Sequence, residues 1–567
     1  MRLNTGRFTA SACRYRVRAV SSLPTADAVS RLGRRLANEA YYLRLCFRAG
    51  LFGIDGPRVT AEVVGGLAKF GLLGGAPVVA AARHPDRTAI IDDGRSLTYR
   101  ELDARVNALA NAWRRDGLRP GDRVAVLIRN HAGFLETVFA AAKCGARILL
   151  LNTGFAGPQI REVLDREGTD LLVHDEEYCQ LFQDLAPRLG RWRAWTDTRP
   201  DDPDTIAALI ASAPSTPPPR PRGNARLVIL TSGTTGAPKG ADREVPWSLA
   251  PVGGPLSRVP FRAAGVTQLC APLFHALGFT QMLLAVGLGS TIVLQRRFEP
   301  PAVLDSLARN GVDTLVVVPV MLQRMVELDG NDAAARDFSK LRIIYVSGSQ
   351  LGADLCRRAT ELFGEVVYNL YGSTEIAFAT IATPADLAAA PASVGRVVRG
   401  AVVKILDDQG HELACGRTGR VFVGSAIQFE GYTGGGDKER IGELMSSGDV
   451  GHFDQDGRLF IDGRDDEMII SGGENVYPAE VEELLHGCEA VLEAAAIGVP
   501  DERFGQRLRV FVVLRPGAEF TADELREFVR ANLAGYKVPR DVEFCDELPR
   551  NPTGKVLKHQ LAGRGAL

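Results

Sequence analysis

The segment from Leu227 to Ala241, LVILTSGTTGAPKGA, constrains the fold more than any other part of the chain. Its first four residues form a short apolar run, which predicts a buried strand. Glycines, hydroxyl residues and a lysine follow, so the strand must end in a loop whose backbone can approach a ligand closely. Successive backbone N–H groups in such a turn can bind an anion. We therefore predict a polyphosphate-binding loop. Its predicted contact residues are Thr231, Ser232, Gly233, Thr234, Thr235, Gly236 and Lys239.

This loop differs from a Walker A loop, G-x-x-x-x-G-K-[ST], because Pro238 precedes Lys239. A flexible surface loop is the alternative. The order [ST]-[ST]-G-[ST]-T-G-x-P-K-G resembles the phosphate loop of the adenylate-forming (ANL) superfamily. That superfamily comprises acyl-CoA synthetases, nonribosomal peptide adenylation domains and firefly-type luciferases. Within it, the chain looks like an acyl-CoA synthetase of the fatty-acid–CoA ligase family.

A second motif, Tyr371-Gly372-Ser373-Thr374-Glu375, follows a strand-like run that ends at Asn369. A flat ring can stack on a purine, glycine permits close approach of the backbone, and a carboxylate offers the hard oxygen that Mg²⁺ prefers. The motif is similar to the Y-G-x-T-E of the superfamily. The resemblance implies that Asn369, Tyr371, Gly372 and Thr374 contact the nucleotide and that Glu375 binds the metal.

The run Ser347–Leu351 lies at the end of another predicted strand, where α/β sheets bind ligands. It is similar to the adenine-binding turn of the superfamily, usually S-G-G-A-P-L. Here Gln350 stands where proline is common, and the turn is one residue shorter. The resemblance places Gly348 and Ser349 in the ATP/AMP site.

The next resembling stretch begins at Ser447-Gly448-Asp449 and continues to Gly463-Arg464. In the superfamily, the aspartate of such a pair accepts both ribose hydroxyls, and the arginine also reaches the ribose. The resemblance assigns these roles to Asp449 and Arg464. Two surface turns with solvated charges are the alternative interpretation.

The residues after Arg464 resemble the superfamily's hinge, which usually carries two acids. The hinge position falls on Asp466, and Glu467 replaces the second acid. Gly472 and Gly473 resemble the pair that lines the tunnel for the pantetheine arm of CoA, where any side chain would obstruct the passage.

The run Leu548–Lys555 matches the closing P-x-x-x-x-G-K pattern of the superfamily. The resemblance makes Lys555 the catalytic lysine. We expect Lys558, three residues later, to be an exposed surface charge.

The run Pro272–Phe279 resembles the segment that borders the acid-binding pocket. Amino-acid-activating relatives carry an aspartate after the phenylalanine, and here that place holds His275, so an amino acid substrate is disfavoured. The aromatic and apolar side chains favour a fatty acid, whereas an aromatic acid stays open. Simple core packing is the alternative for each side chain. The predicted pocket residues are Phe274, His275, Phe279 and Ile376.

Apolar runs at 124–128, 148–151, 171–173, 314–318 and 341–346 alternate with helical patterns, which predicts a mostly parallel α/β sheet. Short strands from 402 to 423 predict a β-rich subdomain. The resemblance implies the ANL fold, in which a large N-terminal domain of stacked α/β sheets and a β-rich subdomain precede a small mobile α+β C-terminal domain. The predicted divisions are an N-terminal extension over 1–60, the large domain over 61–465 and the C-terminal domain over 466–567.

Lysine and arginine number 67 against 68 aspartate and glutamate, which gives no general basic character for nucleic acid binding. Nine scattered cysteines fit a reducing compartment, so we expect a cytoplasmic protein. The uncharged stretch 263–295 is long enough to suggest a membrane span, but its polar residues predict strand, loop, helix and strand. Residues 30–53 predict a basic helix, which could contact a membrane surface or pack on the main domain.

The resemblance implies ATP-dependent activation of a carboxylic acid, here a medium- or long-chain fatty acid, to acyl-AMP and its transfer to CoA. The implied cofactors are ATP, Mg²⁺ and CoA. Three alternatives remain: an acyl-AMP ligase that loads a carrier protein, an aryl-acid CoA ligase, and a non-catalytic acyl- or nucleotide-binding protein of lipid uptake. The presence of Lys239, Glu375, Asp449 and Lys555 disfavours the non-catalytic alternative. The predicted catalytic residues are Lys555, Glu375, Thr231 and Lys239.

Overall fold

The computed structural model describes most of the chain in four sheets and their covering helices. The described residues are 26–93, 95–198, 202–231, 239–242, 248–328, 336–425, 431, 438–471, 474–501, 505–551 and 554–562.

A six-stranded sheet carries the strand that precedes the predicted phosphate loop. Its neighbours pair in parallel except at the last strand, which returns antiparallel. The apolar runs are buried on both faces, as expected of parallel strands covered by helices. In spatial order the strands are β6 (Arg191–Trp195), β5 (Leu171–Asp175), β3 (Arg123–Leu127), β4 (Arg147–Leu150), β7 (Arg226–Thr231) and β8 (Lys239–Asp242).

A nine-stranded sheet forms the second layer and carries the Tyr371 motif. Its central strands are parallel, and a hairpin closes each end. In spatial order the strands are β15 (Arg396–Val397), β14 (Ala377–Ala382), β13 (Val367–Ser373), β12 (Ile343–Val346), β11 (Thr314–Val317), β9 (Val266–Leu269), β10 (Thr291–Leu294), β1 (Thr88–Asp92) and β2 (Arg95–Thr98).

Two smaller sheets follow along the chain. The first confirms the β-rich subdomain, and the second, with its helices, forms the C-terminal unit. The first contains β16 (Val402–Leu406), β17 (Gly419–Gly424), β18 (Arg440–Ile441), β19 (Leu444–Phe453) and β20 (Leu459–Arg464). The second contains β21 (Ile469–Ser471), β22 (Glu474–Val476), β23 (Val491–Asp501), β24 (Gly505–Leu514) and β25 (Asp541–Phe544).

The described helices cover the sheets. The one that follows the first hairpin begins after Thr98, whose side chain accepts from the amide of Glu101 while the Glu101 carboxylate accepts in return. Such a reciprocal cap fixes the start of a helix. The helices are α1 (Ala26–Ala49), α2 (Pro57–Arg83), α3 (Tyr99–Arg115), α4 (Ala132–Lys143), α5 (Gly157–Glu167), α6 (Ile206–Ala211), α7 (Ala250–Leu256), α8 (Ala276–Gly287), α9 (Pro300–Arg309), α10 (Pro319–Val326), α11 (Ala353–Phe363), α12 (Pro384–Ala389), α13 (Pro478–His486), α14 (Ala522–Asn532) and α15 (Lys558–Ala562).

The uncharged stretch 263–295 folds as predicted, since it supplies β9, α8 and β10 to the core. The predicted N-terminal helix exists as α1, but it ends at Ala49 rather than at 53. Sequence analysis missed α2 altogether, because its many glycines and its near-continuous apolar run hide the helical period.

Among the described helices, only α2 has the length and apolar composition to cross a membrane. It is not a straight rod, however. Gly71 has φ +69°, and the two halves of the helix fold back on each other there. A Cβ added at Gly66 would lie 2.7 Å from Cγ1 of Val78, twelve residues away. Each half is therefore shorter than the roughly 20 residues that a span requires.

Candidate active site

The carboxyl ends of β12 and β13 bring two predicted nucleotide-binding segments to one edge of the nine-stranded sheet. The strands are parallel neighbours, with Val346 paired with Asn369. Gly348 and Ser349 follow β12 and are exposed, whereas Asn369 is buried within β13. The hydroxyl of Ser347 donates to the carbonyl of Leu370 at 2.9 Å and ties the two segments together. Ligands bind at such an edge in α/β sheets.

Gly372 is required by the tight return from β13 to β14. A Cβ at this position would lie 2.0 Å from the carbonyl oxygen of Ala377, so no side chain fits. Ala377 itself has φ +64°, which is uncommon outside glycine. The backbone thus makes a constrained turn that carries Thr374 and Glu375 at its tip.

Ser373 orients Glu375, and sequence analysis did not give it this role. Its hydroxyl donates to Oε2 of Glu375 at 2.8 Å. The hydroxyl oxygen of Ser373 accepts in turn from the amides of Glu375 at 3.2 Å and Ile376 at 3.3 Å. A serine that bonds to backbone N–H groups two and three residues ahead is a recognised local turn, so the signal was present in the sequence.

Three predicted site residues form one hydrogen-bonded cluster, in which Asp449 accepts from both Arg464 and Tyr371. The β19–β20 register places it opposite Arg464, whose Nη1 donates to Oδ1 at 3.0 Å. The hydroxyl of Tyr371 donates to Oδ2 at 2.5 Å. Burial, followed by the charge of Asp449, raises the pKa of Tyr371 well above its usual value, so the phenol remains a donor at neutral pH. Each carboxylate oxygen has two lone pairs, so Asp449 can also accept from hydroxyls of a ligand.

The predicted phosphate loop sits at the turn of the β7–β8 hairpin. Thr231 and Lys239 are paired across this hairpin. Ser232, Gly233, Thr234, Thr235 and Gly236 lie outside the described residues, as do the side chains of Thr231 and Lys239. Their contacts with phosphate stay predictions.

The loop that carries Lys555 faces the same edge of the nine-stranded sheet. Asn551 and Lys555 close it, since the Lys555 amide donates to the Asn551 side chain at 2.9 Å. A Cβ added at Gly554 would lie 3.5 Å from Cγ2 of Val318, and one added at Gly348 would lie 3.3 Å from Cγ1 of the same valine. The Lys555 loop and the turn after β12 therefore share a neighbour.

Two polar contacts also join the C-terminal unit to the large one. Nε2 of Gln323 donates to the carbonyl of Leu492 at 2.9 Å, and Nε2 of Gln350 donates to Glu483 at 3.3 Å. The C-terminal unit therefore packs against α10 and against the segment that follows β12.

The predicted hinge lies in a single turn of 3₁₀ helix, Asp465–Glu467, between β20 and β21. Asp465 pairs with Arg420 of β17 at 3.0 Å, which fixes it to the large unit. Glu467 pairs with Lys558 at 2.7 Å, which fixes it to the C-terminal unit. The ion pairs therefore bracket Asp466. Gly472 and Gly473 lie outside the described residues.

The expectation that Lys558 is an exposed surface charge was wrong. Its ammonium lies 2.7 Å from Glu467 and 3.0 Å from Glu482, and its side chain is only 24% exposed. α15 packs against α13 and the hinge turn, and this tertiary packing places Lys558 between the two carboxylates. No local sequence pattern predicts such a contact.

The predicted acid-pocket segment leads from β9 into α8. Phe274 and Phe279 are buried in the main apolar cluster. Burial lowers the pKa of His275 to about 4, so the ring is neutral at pH 7. Ile376 packs with Val421, Val423 and Met445 in the core of the β-rich subdomain. The assignment of Phe274, His275, Phe279 and Ile376 to the acid pocket stays a prediction.

The Glu375 carboxylate fits a Mg²⁺ ion that is bound together with a nucleotide. In the part of the chain that the structure describes, no three His, Cys, Asp or Glu side chains are grouped to hold a metal. Mg²⁺ is commonly bound through one or two carboxylates plus substrate phosphates and water. The Glu375 carboxylate, oriented by Ser373, is suited to that mode.

Comparison with known proteins agrees with this geometry. A model of the AMP-binding enzyme family matches residues 78–433, and a model of the AMP-binding enzyme C-terminal domain matches residues 480–555. A feruloyl-CoA synthase of an Amycolatopsis species is 35% identical over 505 residues, which cover 87% of this chain and 99% of that protein.

Two further proteins extend the comparison. The fatty acid–[acyl-carrier-protein] ligase ScoC of Streptomyces coeruleorubidus is 31% identical over 85% of this chain and 94% of its own length. The solved structure of the anthranilate CoA ligase AuaEII in complex with anthranoyl-AMP superposes with a TM-score of 0.78 at 25% identity, covering 87% of this chain and 96% of that one.

Proposed function

Because the chain belongs to the AMP-binding family of adenylate-forming enzymes, which includes the acid–CoA ligases, we propose that it joins an apolar aryl carboxylic acid to CoA at the expense of ATP. The observation that carries the proposal is the cluster of Asp449, Tyr371 and Arg464 beside the Ser373–Glu375 turn. It combines a hydroxyl-accepting carboxylate, an aromatic ring and a metal-binding carboxylate at one sheet edge.

In the first half-reaction, a carboxylate oxygen of the acid attacks the α-phosphate of ATP, and pyrophosphate leaves. Asp449 and Arg464 hold the ribose, and Glu375 is the residue that would hold Mg²⁺. When bound, Mg²⁺ neutralises charge on the phosphates. Lys555 bridges the carboxylate and phosphate oxygens and stabilises the developing negative charge.

In the second half-reaction, the thiolate of CoA attacks the acyl carbon of the acyl-AMP, and AMP leaves. Lys555 would obstruct this approach. Rotation of the C-terminal unit about Asp466 would remove it and bring the Gly472–Gly473 segment to the site. The two ion pairs that bracket Asp466 support a rotation concentrated at that residue.

The acid is proposed to be aromatic rather than the fatty acid expected from the sequence. The feruloyl-CoA synthase and the anthranilate CoA ligase both carry aromatic acids in their names. The neutral His275 beside buried Phe274 and Phe279 suits an apolar acid with one carboxylate, since an uncharged ring forms no ion pair with a second carboxylate.

The test combines the purified full-length chain with ATP, Mg²⁺, CoA and a panel of acids. The panel contains ferulate, anthranilate, octanoate, palmitate and glutamate. Pyrophosphate release reports adenylation, and mass spectrometry reports the CoA thioester. We expect an aromatic acid to give the highest kcat/KM and glutamate to give none. A higher kcat/KM with palmitate than with either aromatic acid would contradict the aryl proposal.

A second candidate function is transfer to a carrier protein, which the similarity to ScoC favours. Both candidates share adenylation and differ in the thiol. If pyrophosphate and acyl-AMP form but CoA gives no thioester, while a phosphopantetheinylated carrier protein does, the second candidate replaces the first. An Asp449→Ala chain serves as the control that abolishes pyrophosphate release in both cases.

A further inference from the structure

We propose that the N-terminal helix α1 and the connector after it form a docking surface for an anionic lipid bilayer. The inference is independent of the acid substrate, because it uses no residue of the candidate active site. The matched family model begins at residue 78, so α1 and most of α2 precede the region that it covers.

One face of α1 fixes the helix to the body of the protein. Tyr42 and Cys46 are buried, and the Tyr42 hydroxyl donates to the carbonyl of Arg399 at 2.7 Å. Glu39 accepts from the hydroxyl of Ser248 at 2.5 Å and from the amide of Leu249 at 2.9 Å. The helix therefore has a defined orientation, with its other face directed outward.

The outward face of α1 is apolar. Leu36, Leu43 and Phe47 recur at a helical spacing of seven and four residues and are 61%, 43% and 49% exposed. Phe47 meets Phe52 edge-on at 5.9 Å between ring centroids, and Ile54 just beyond it is fully exposed. We call Leu36, Leu43, Phe47 and Ile54 the N-terminal apolar surface. An exposed apolar group of this kind marks an interaction site.

Arginines flank this surface and identify what it binds. Arg35, Arg44 and Arg48 are exposed on α1, next to Leu36, Leu43 and Phe47 respectively. An apolar stripe bordered by basic side chains is the pattern of a helix that lies in the interface of an anionic membrane. The bilayer would bury the apolar side chains while its headgroups pair with the guanidinium groups.

The same charges disfavour two other occupants. A second copy of this chain would bring the arginines of both helices together without compensation. Residues 1–25 contain five arginines and no aspartate or glutamate, so they too would be repelled from this face and attracted to the same lipid. The fold-back of α2 at Gly71 favours contact with the surface of a bilayer rather than a span.

The test is flotation of the full-length chain with phosphatidylcholine vesicles, with and without a third of phosphatidylglycerol. We expect binding to the anionic vesicles that weakens at high salt. The variant Leu43→Ser/Phe47→Ser should bind at least about tenfold more weakly, because two apolar side chains no longer enter the bilayer. The variant Arg44→Gln/Arg48→Gln should weaken the preference for anionic vesicles, and Arg35 and the arginines of residues 1–25 should account for what remains.

The matched control is Val402→Ser/Phe544→Ser, which removes two side chains that are 49% and 43% exposed elsewhere on the molecule. It should float like the wild type. All variants should retain the wild-type unfolding temperature and pyrophosphate release, since none touches the candidate site. Absence of acid–CoA ligase activity in the wild type would overturn the proposed function without affecting this inference.

Three results would overturn the membrane proposal. The first is absence of wild-type flotation with anionic vesicles. The second is a wild-type dimer in light scattering that Leu43→Ser/Phe47→Ser converts to a monomer, because a second copy would then be the occupant. The third is flotation that occurs only after residues 2–25 are removed, because that segment would then cover the surface.

Discussion

Replacing Lys558 with methionine should loosen the hinge of the C-terminal unit. The ammonium lies between Glu467 of the hinge helix and Glu482 of α13. Methionine keeps the length and apolar stem of lysine but leaves two carboxylates without their cation. The fixation of Glu467 to the C-terminal unit is then lost, whereas the pairing of Asp465 with Arg420 remains.

The expected coupling energy is the balance between the attraction of the charges and the solvation that they lose on burial. Unit charges about 3 Å apart attract by roughly 5–6 kcal/mol at an effective dielectric constant of ~20, and lost solvation offsets much of this. Burial lowers the pKa of Lys558, but Glu482 and Glu467 raise it by more, so the net pKa is above that of a free lysine. The cluster is therefore net stabilising below that pKa, including at pH 7, and its contribution is lost as the pH rises through it. We expect a pairwise coupling of about 1–2 kcal/mol between Lys558 and Glu467.

The assay is a double-mutant cycle with Lys558→Met, Glu467→Gln and both changes together. Hydrogen exchange followed by mass spectrometry reports local opening of the peptides that contain 465–471 and 558–562. A coupling of 1–2 kcal/mol corresponds to about 5–30-fold in the opening equilibrium. Lys558→Arg is the conservative control and should exchange nearly like the wild type. Additive effects of the two single changes, within about 0.5 kcal/mol, would refute the bracketed hinge.

Three further predictions concern the candidate site. Ser373→Ala should raise the KM for Mg·ATP about fivefold to tenfold and leave the KM for the acid unchanged, because Glu375 loses its hydrogen-bond donor. Steady-state kinetics with both substrates checks this prediction, and an equal rise in both KM values would speak against it. Lys555→Ala should slow acyl-AMP formation at least about 100-fold yet largely spare thioester formation from supplied acyl-AMP; equal loss in the two half-reaction assays would contradict a lysine that acts only in the first. His275 in the folded protein stays neutral down to about pH 4, whereas an unfolded histidine is protonated below about pH 6.5, so acidification between these values favours unfolding. His275→Gln should flatten that part of the acid-unfolding curve. An unaltered curve would contradict the argument that burial keeps His275 neutral.

The sequence predicted the sheets well wherever apolar runs alternate with helices. β3, β11 and β12 lie where the apolar runs predicted them. Local patterns suffice for such strands, because burial on both faces requires a continuous apolar run.

The rest depends on contacts between residues far apart in the chain. The Asp449–Arg464 pair follows from the register of a β hairpin, but the bond from Tyr371 across 78 residues required the structure. Lys558 was misjudged for the same reason, since its neighbours come from other elements. The fold-back of α2 was hidden because Gly71 interrupts a helix that composition alone describes as continuous.

The joint between the two units has an energetic consequence. Two of the contacts that cross it are hydrogen bonds from the amides of Gln323 and Gln350, and each contributes only about 0.5–1.5 kcal/mol net. A nucleotide or thiol that binds one pose more tightly than the other can supply the free energy needed to break these two bonds. The ligand that occupies the site can therefore decide whether these two hydrogen bonds are kept or broken.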